Sequence, residues 1–118
     1  MSTVLITLRE GPYGSEMPFT ALKLAGTILA EHPQTAVRLF LVSDAVHCAV
    51  DQQTPPEGWP NIGEMLRDVI ARGAEVKLCV TCVKARGLTY IPLIPGAGIG
   101  SMSDFSDWTV TSDRVISL

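Results

Sequence analysis

Three short apolar runs dictate most of what this chain can become: VLITL at Val4–Leu8, VRLFLV at Val37–Val42 and VKLCV at Val76–Val80. Each is β-prone and bounded by turn or helix signals, so each reads as a strand buried on both faces. The stretches between them carry helical periodicity. Strands alternating with helices imply a mainly parallel sheet covered on both faces, and such sheets gather their chemistry beyond the carboxyl ends of the strands. Those ends are Arg9-Glu10-Gly11, Ser43-Asp44-Ala45 and Cys79.

After the breaker Gly11-Pro12-Tyr13-Gly14, a helix is expected from about Ser15 to Ala30. Ser15 is its candidate cap, and Phe19, Leu22, Ala25, Gly26 and Leu29 form its apolar stripe. Pro18 is tolerated because it falls in the first turn, and His32-Pro33 ends the helix. Asp44 to Val50 leaves the second strand as a short helix, and the proline-rich segment Gln52–Pro60 is a surface loop. Asn61 caps the cleanest stripe in the chain, formed by Ile62, Met65, Leu66, Val69 and Ile70, and Gly73 stops it. A helical stretch runs from the third strand through Arg86 and closes at Gly87. Tyr90–Pro95 is a loop with two prolines, followed by a brief strand within Gly96–Gly100. Ser101 and Asp104 have capping-box spacing for a short helix that buries Met102, Phe105 and Trp108, and Arg114–Leu118 is a last strand.

The 118 residues are expected to form one domain, 1–118, large enough for a real core. A formal charge of -3 gives no electrostatic reason for nucleic-acid binding. No apolar run approaches the roughly 20 residues of a membrane span, and MSTVLITLREG lacks the features of a signal peptide. The expected location is therefore the cytoplasm, where cysteines stay free, catalytic or metal-bound; an odd count of three also argues against a disulfide framework. Only 18% of residues are charged. With a positive mean hydropathy, that points to apolar surface shared between subunits. Tyr90, Ile91, Leu93 and Ile94, held by prolines in a loop, are the expected contact.

Cys79 and Cys82 form a C-x-x-C pair where a strand meets a helix. A thiol there faces unpaired helix N–H groups, and Lys84 and Arg86 add positive charge. Both effects favour the thiolate, so Cys79 is the candidate nucleophile. Other readings remain open at this level. Buried cysteine can simply pack. Zinc would need four ligands, which His47 and Cys48 would have to complete although adjacent side chains diverge. Dithiol exchange fits the motif, but Val80-Thr81 is not diagnostic and no strand-ending proline stands opposite. His47 can tune a nearby thiol, Asp44 reads as a solvated rim residue, and Gly11–Gly14 lacks phosphate-loop spacing.

Taken with Leu41-Val42-Ser43-Asp44-Ala45-Val46, the block from Cys79 to Gly87 and the tail from Gly96 to Leu118, the chain resembles the DsrE/DsrF-like sulfur-relay family, in particular its small YchN-like branch. The resemblance implies a single-domain α/β sandwich with a sheet of about five strands, assembled as a homotrimer or homohexamer. It also implies that Cys79 carries sulfane sulfur as a persulfide between donor and acceptor proteins, with Cys82 matching a second cysteine of many small-branch members. Lys84 and Arg86 would steady the anions and Cys82 would resolve the persulfide, with no metal or organic cofactor, nucleic acid or membrane involved. Two features depart from the family pattern: the first turn is Gly-Pro-Tyr-Gly-Ser-Glu rather than Asp-rich, and His47-Cys48 maps to no family role. The alternatives are an oligomeric binding or scaffold module without catalysis, and dithiol redox exchange through Cys79 and Cys82.

Overall fold

The apolar runs become the three inner strands of one sheet in the computed structural model, which describes residues 2–118. The elements in order are β1 (Ser2–Leu8), α1 (Met17–Glu31), β2 (Thr35–Leu41), a 3-10 helix (Ser43–Ala49), α2 (Ile62–Ala71), β3 (Glu75–Cys79), α3 (Val80–Ala85), β4 (Ala97–Gly100), α4 (Met102–Thr111) and β5 (Arg114–Ser117). The strands lie in the order β4-β3-β2-β1-β5, and every pairing is parallel. The expected α/β sandwich is therefore present, with its brief fourth strand formed and paired to β3. Among the described residues, no helix is long and apolar enough to cross a membrane.

The strand order fixes the layers. Steps from β1 to β2, β3 and β4 all run in one direction, so right-handed crossovers place α1, α2 and α3 on one face; the return from β4 to β5 puts α4 on the other. Side chains alternate between these faces. Val4, Ile6, Leu8, Val37, Leu39, Leu41, Val76 and Leu78 meet Leu22, Ala25, Leu66 and Val69 in the larger core. Leu5, Phe40 and Cys79 point the other way, toward Trp108 of α4.

That second layer is thin and aromatic. Phe40 and Phe105 stack with ring centroids 4.3 Å apart, and Trp108 meets Phe40 edge-on at 6.0 Å. The Lys77 ammonium lies 4.7 Å from the centre of the Trp108 ring and 3.5 Å from Asp104. Ser101 and Asp104 close the expected capping box at the start of α4. Gly100 is required by close approach: a Cβ there would lie 2.9 Å from the Phe40 ring.

Several expectations need correction. Helix α1 begins at Met17 with Glu16, not Ser15, at the cap position. Pro18 has no N–H to offer and fits only the first turn, which sets this start. The buried stripe is Pro18, Ala21, Leu22 and Ala25; Phe19 falls outside it and lines an open cleft of about 650 Å³ with Tyr13 and Trp59. Met102 is exposed because the first turn of α4 begins over the edge strand, beyond which no sheet lies to cover it. The Tyr90–Pro95 segment is not a wholly exposed apolar loop. Leu93 bridges Val50, the Ile94 N–H donates to the Ala49 carbonyl at 2.8 Å, and Ile94 is buried, leaving Tyr90 and Ile91 at the surface. The α2 boundaries agree with expectation: the Asn61 side chain accepts from the Glu64 N–H, and Gly73 adopts φ +107 just beyond the helix.

Candidate functional site

Because β1, β2 and β3 are parallel neighbours, their carboxyl ends meet at one rim. Cys79 is both the last residue of β3 and the cap of α3. Strand alternation turns its side chain into the aromatic layer, against Leu5, Phe40 and Trp108, so it is 8% exposed rather than an open rim thiol. Burial by itself would raise its pKa. The amides of Cys82 and Thr81, the Cys82 thiol and the Arg86 charge outweigh burial, and the net direction is down, toward thiolate.

Cys82 lies one turn further on, half-buried, and both cysteines are free thiols. Its pKa moves the opposite way: burial raises it first, the neighbouring Cys79 sulfur raises it further, and the Ser43 amide and Arg86 offset only part of this. The two thiols are thus biased in opposite directions, Cys79 toward thiolate and Cys82 toward thiol. From the far side, the Ser43 N–H donates to the Cys82 sulfur at 3.1 Å. Ser43 adopts φ +53, a left-handed conformation that costs a non-glycine residue about 1–3 kcal/mol.

Arg86 ties the rim together. Its Nε donates to Asp44 Oδ1 at 2.9 Å, its Nη1 to the Cys82 carbonyl at 3.2 Å, and its Nη2 lies 3.5 Å from Ser43 Oγ. The structure therefore brings Cys79, Cys82 and Arg86 into one constellation. Lys84 is exposed, and among the described residues its ammonium has no ion pair or hydrogen bond. His47 sits in the 3-10 helix, where its carbonyl accepts from the Val50 N–H and Gln53; no hydrogen bond joins its ring to either thiol among the described residues. Cys48 is buried, its thiol donates to the Glu10 carbonyl at 3.8 Å, and burial pushes its pKa up to about 12, so it packs as a small apolar side chain. Among the described residues, no three His, Cys, Asp or Glu side chains cluster as metal ligands would.

Sequence reasoning missed Ser43 and the role of Asp44. Serine gives no signal for a left-handed backbone, and Asp44 and Arg86 are 42 residues apart. Their opposite charges, one just past β2 and the other at the end of the helix that leaves β3, were the available clue. The aromatic wall was half visible, since Phe105 and Trp108 were placed on a buried stripe but Phe40 was not assigned to a face.

A model of the DsrE/DsrF-like family matches residues 2–118. The chain is 40% identical over 116 residues to Protein YchN of Escherichia coli K12, covering 98% of each. It is 42% identical over 114 residues to uncharacterized protein MJ0989 of Methanocaldococcus jannaschii, covering 97% of this chain and 96% of that one. Among solved structures, the crystal structure of the E. coli ychN protein superposes with a TM-score of 0.95 at 39% identity over the whole of both chains. The protein of unknown function MTH1491 from Methanobacterium thermoautotrophicum shares the fold, with a TM-score of 0.78 at 13% identity, again over the whole of both chains.

Proposed function

Because the chain belongs to the DsrE/DsrF-like family, we propose that it relays sulfane sulfur, carrying it as a persulfide on Cys79. The observation that supports this most is the thiolate bias of Cys79 inside an apolar layer: two amides, a neighbouring thiol and a guanidinium all favour the anion there. Thiolate sulfur is the nucleophile in such exchanges. Cys79 attacks the outer sulfur of a donor persulfide, forming a new S–S bond as the donor's S–S bond breaks and its thiolate leaves. Transfer onward repeats the step, with an acceptor thiolate attacking the outer sulfur and Cys79 leaving. Arg86, locked to Asp44, steadies the anions, and Lys84 adds a positive charge on the exposed side of the same helix. No metal or organic cofactor is needed. A reducing compartment such as the cytoplasm would keep the thiols free.

Exposure of the wild-type protein to a low-molecular-weight alkyl persulfide should add about 32 Da, the mass of one sulfur atom, at Cys79. Intact mass spectrometry with peptide mapping checks this. A product that instead loses two hydrogens, as a Cys79–Cys82 disulfide with no sulfur adduct, would favour dithiol exchange.

The assembly proposed for this reading is a homotrimer or homohexamer, to which the donor and acceptor proteins dock. Tyr90, 95% exposed, and Ile91 precede the edge strand β4, which carries exposed Ile99 and is followed by exposed Met102. Burying such surface contributes roughly 25 cal/mol per Å². Light scattering of the wild type should give a mass that is a multiple of 12.7 kDa, and Tyr90→Asp with Met102→Asp should shift it toward monomer. A wild-type monomer at micromolar concentration would sink this assignment.

A further inference from the structure

We propose that Cys82 is the acid of sulfur loading: it gives its proton to the thiolate expelled from the donor, and the Ser43 amide holds the sulfur anion left behind. This rests on the persulfide reading of Cys79 and adds a role that the two-cysteine motif alone does not specify.

Consider where the leaving group is released. The Cys79 sulfur is packed against Leu5, Phe40 and Trp108, with Val42, Phe105 and Cys82 beside it. A thiolate leaves more slowly the higher its pKa, so an alkyl thiolate released there gains most from a proton delivered as it departs. Arg86 cannot give up a proton. Lys84 is exposed, and the His47 ring makes no hydrogen bond to either thiol among the described residues. Cys82, one turn away and packed against the same layer, carries a thiol proton that can serve.

Once its proton has left, Cys82 is an anion that needs a partner. The Ser43 N–H already points at the Cys82 sulfur at 3.1 Å, and it does so from a backbone conformation unfavourable for serine. Strain of this kind persists where the surroundings hold it in place. Here Arg86 holds the carbonyl of Cys82 and the carboxylate of Asp44, and its Nη2 lies beside Ser43 Oγ. The raised pKa of Cys82, caused by burial and then by the neighbouring Cys79 sulfur, keeps it protonated while Cys79 is the thiolate; once Cys79 has entered the new S–S bond that second cause is gone and Cys82 becomes the stronger acid. An amide bond to the resulting anion stabilises it, which also lowers its nucleophilicity and disfavours its attack on the loaded persulfide.

The step balances. Cys79 thiolate, a persulfide R–S–SH and Cys82 thiol give Cys79–S–SH, R–SH and Cys82 thiolate. The Cys79 electron pair makes the new S–S bond, the pair of the broken S–S bond departs on R–S⁻, and that sulfur takes the Cys82 proton. One sulfane sulfur moves and no external oxidant or reductant enters.

Single-turnover loading of the full chain with two probes, an alkyl and an aryl persulfide, tests the role. The aryl thiolate, with its lower pKa, leaves with less help from a proton than the alkyl one. Wild-type protein should load from both at rates within about threefold, whereas Cys82→Ala should slow alkyl loading about 100-fold and aryl loading only about threefold. Cys82→Ser preserves volume while offering a far weaker acid, so it should show the same divergence and separates acidity from packing. Ser43→Val, with a β-branched side chain that resists φ +53, should move the ratio in the same direction; an unmoved ratio removes Ser43 from the proposal. Equal slowing of both donors by the Cys82 variants, or disulfide formation with sulfide release in every wild-type turnover, would overturn the acid role and leave Cys79 loading intact. Absence of any wild-type loading would overturn both readings.

Discussion

Cys79→Ser is expected to abolish sulfur loading and the fast phase of thiol alkylation together. The sulfur is the only atom in this substitution that changes, and its pocket of Leu5, Phe40 and Trp108 is retained. Intact mass spectrometry after persulfide exposure should show no added sulfur, where the wild type gains one. The pH dependence carries the sign of the shifts. Cys79 is biased toward thiolate and Cys82 toward thiol, so lowering the pH from alkaline to neutral should cost Cys82 its reactivity first. The ratio of Cys79 to Cys82 alkylation by a small electrophile should therefore rise as pH falls, and the midpoint for Cys79 should lie below that of a free cysteine. A small probe is needed because Cys79 is largely buried. Equal rates for the two thiols at neutral pH would sink the assignment of Cys79 as nucleophile.

The largest effect on stability is expected at Phe40. This ring is 1% exposed, stacks on Phe105 and receives the edge of Trp108, so it anchors α4 to the sheet. Phe40→Ala removes both aromatic contacts and opens a cavity that the β2 backbone cannot collapse to fill. A loss of about 3–5 kcal/mol is expected, measurable as a lower denaturation midpoint in urea. Because Phe40 also walls Cys79, the variant should lose the alkylation contrast between Cys79 and Cys82 even where it remains folded. A loss under about 1 kcal/mol would mean that α4 is held by other contacts, chiefly the capping box and the Lys77–Asp104 pair.

The sheet was legible because its inner strands are written as unbroken apolar runs, a pattern that burial on both faces demands. Asn61 and the Ser101–Asp104 pair were legible because capping needs particular side chains at particular spacings. The burial of Ile94 was not, because it depends on an antiparallel bridge between Val50 and Leu93, segments far apart in sequence. The outward turn of Phe19 was hidden for a related reason: Ala21 fits close to the sheet where a ring would not, and composition alone favours the ring. At the site, position was easier to read than orientation. The end of a strand is marked by sequence, which located Cys79. The layer its sulfur enters follows from strand register, and that places it beneath α4 rather than open at the rim. Ser43 left no trace, since its contribution is a backbone amide and a dihedral angle rather than a side chain.

The lone return from β4 to β5 has a bearing on when the surroundings of Cys79 are completed. Leu5, Phe40, Cys79 and Trp108 come from four well-separated stretches of chain, and the last belongs to the helix made after every inner strand. During synthesis, β1, β2 and β3 with their helices can assemble while α4 is still missing. In that interval Cys79 is an ordinary thiol on an uncovered sheet face, open to oxidants and lacking its aromatic wall. Docking of α4 shields the sulfur and completes the apolar layer around it, so on the proposed reading the setting for that chemistry forms only once α4 has been made.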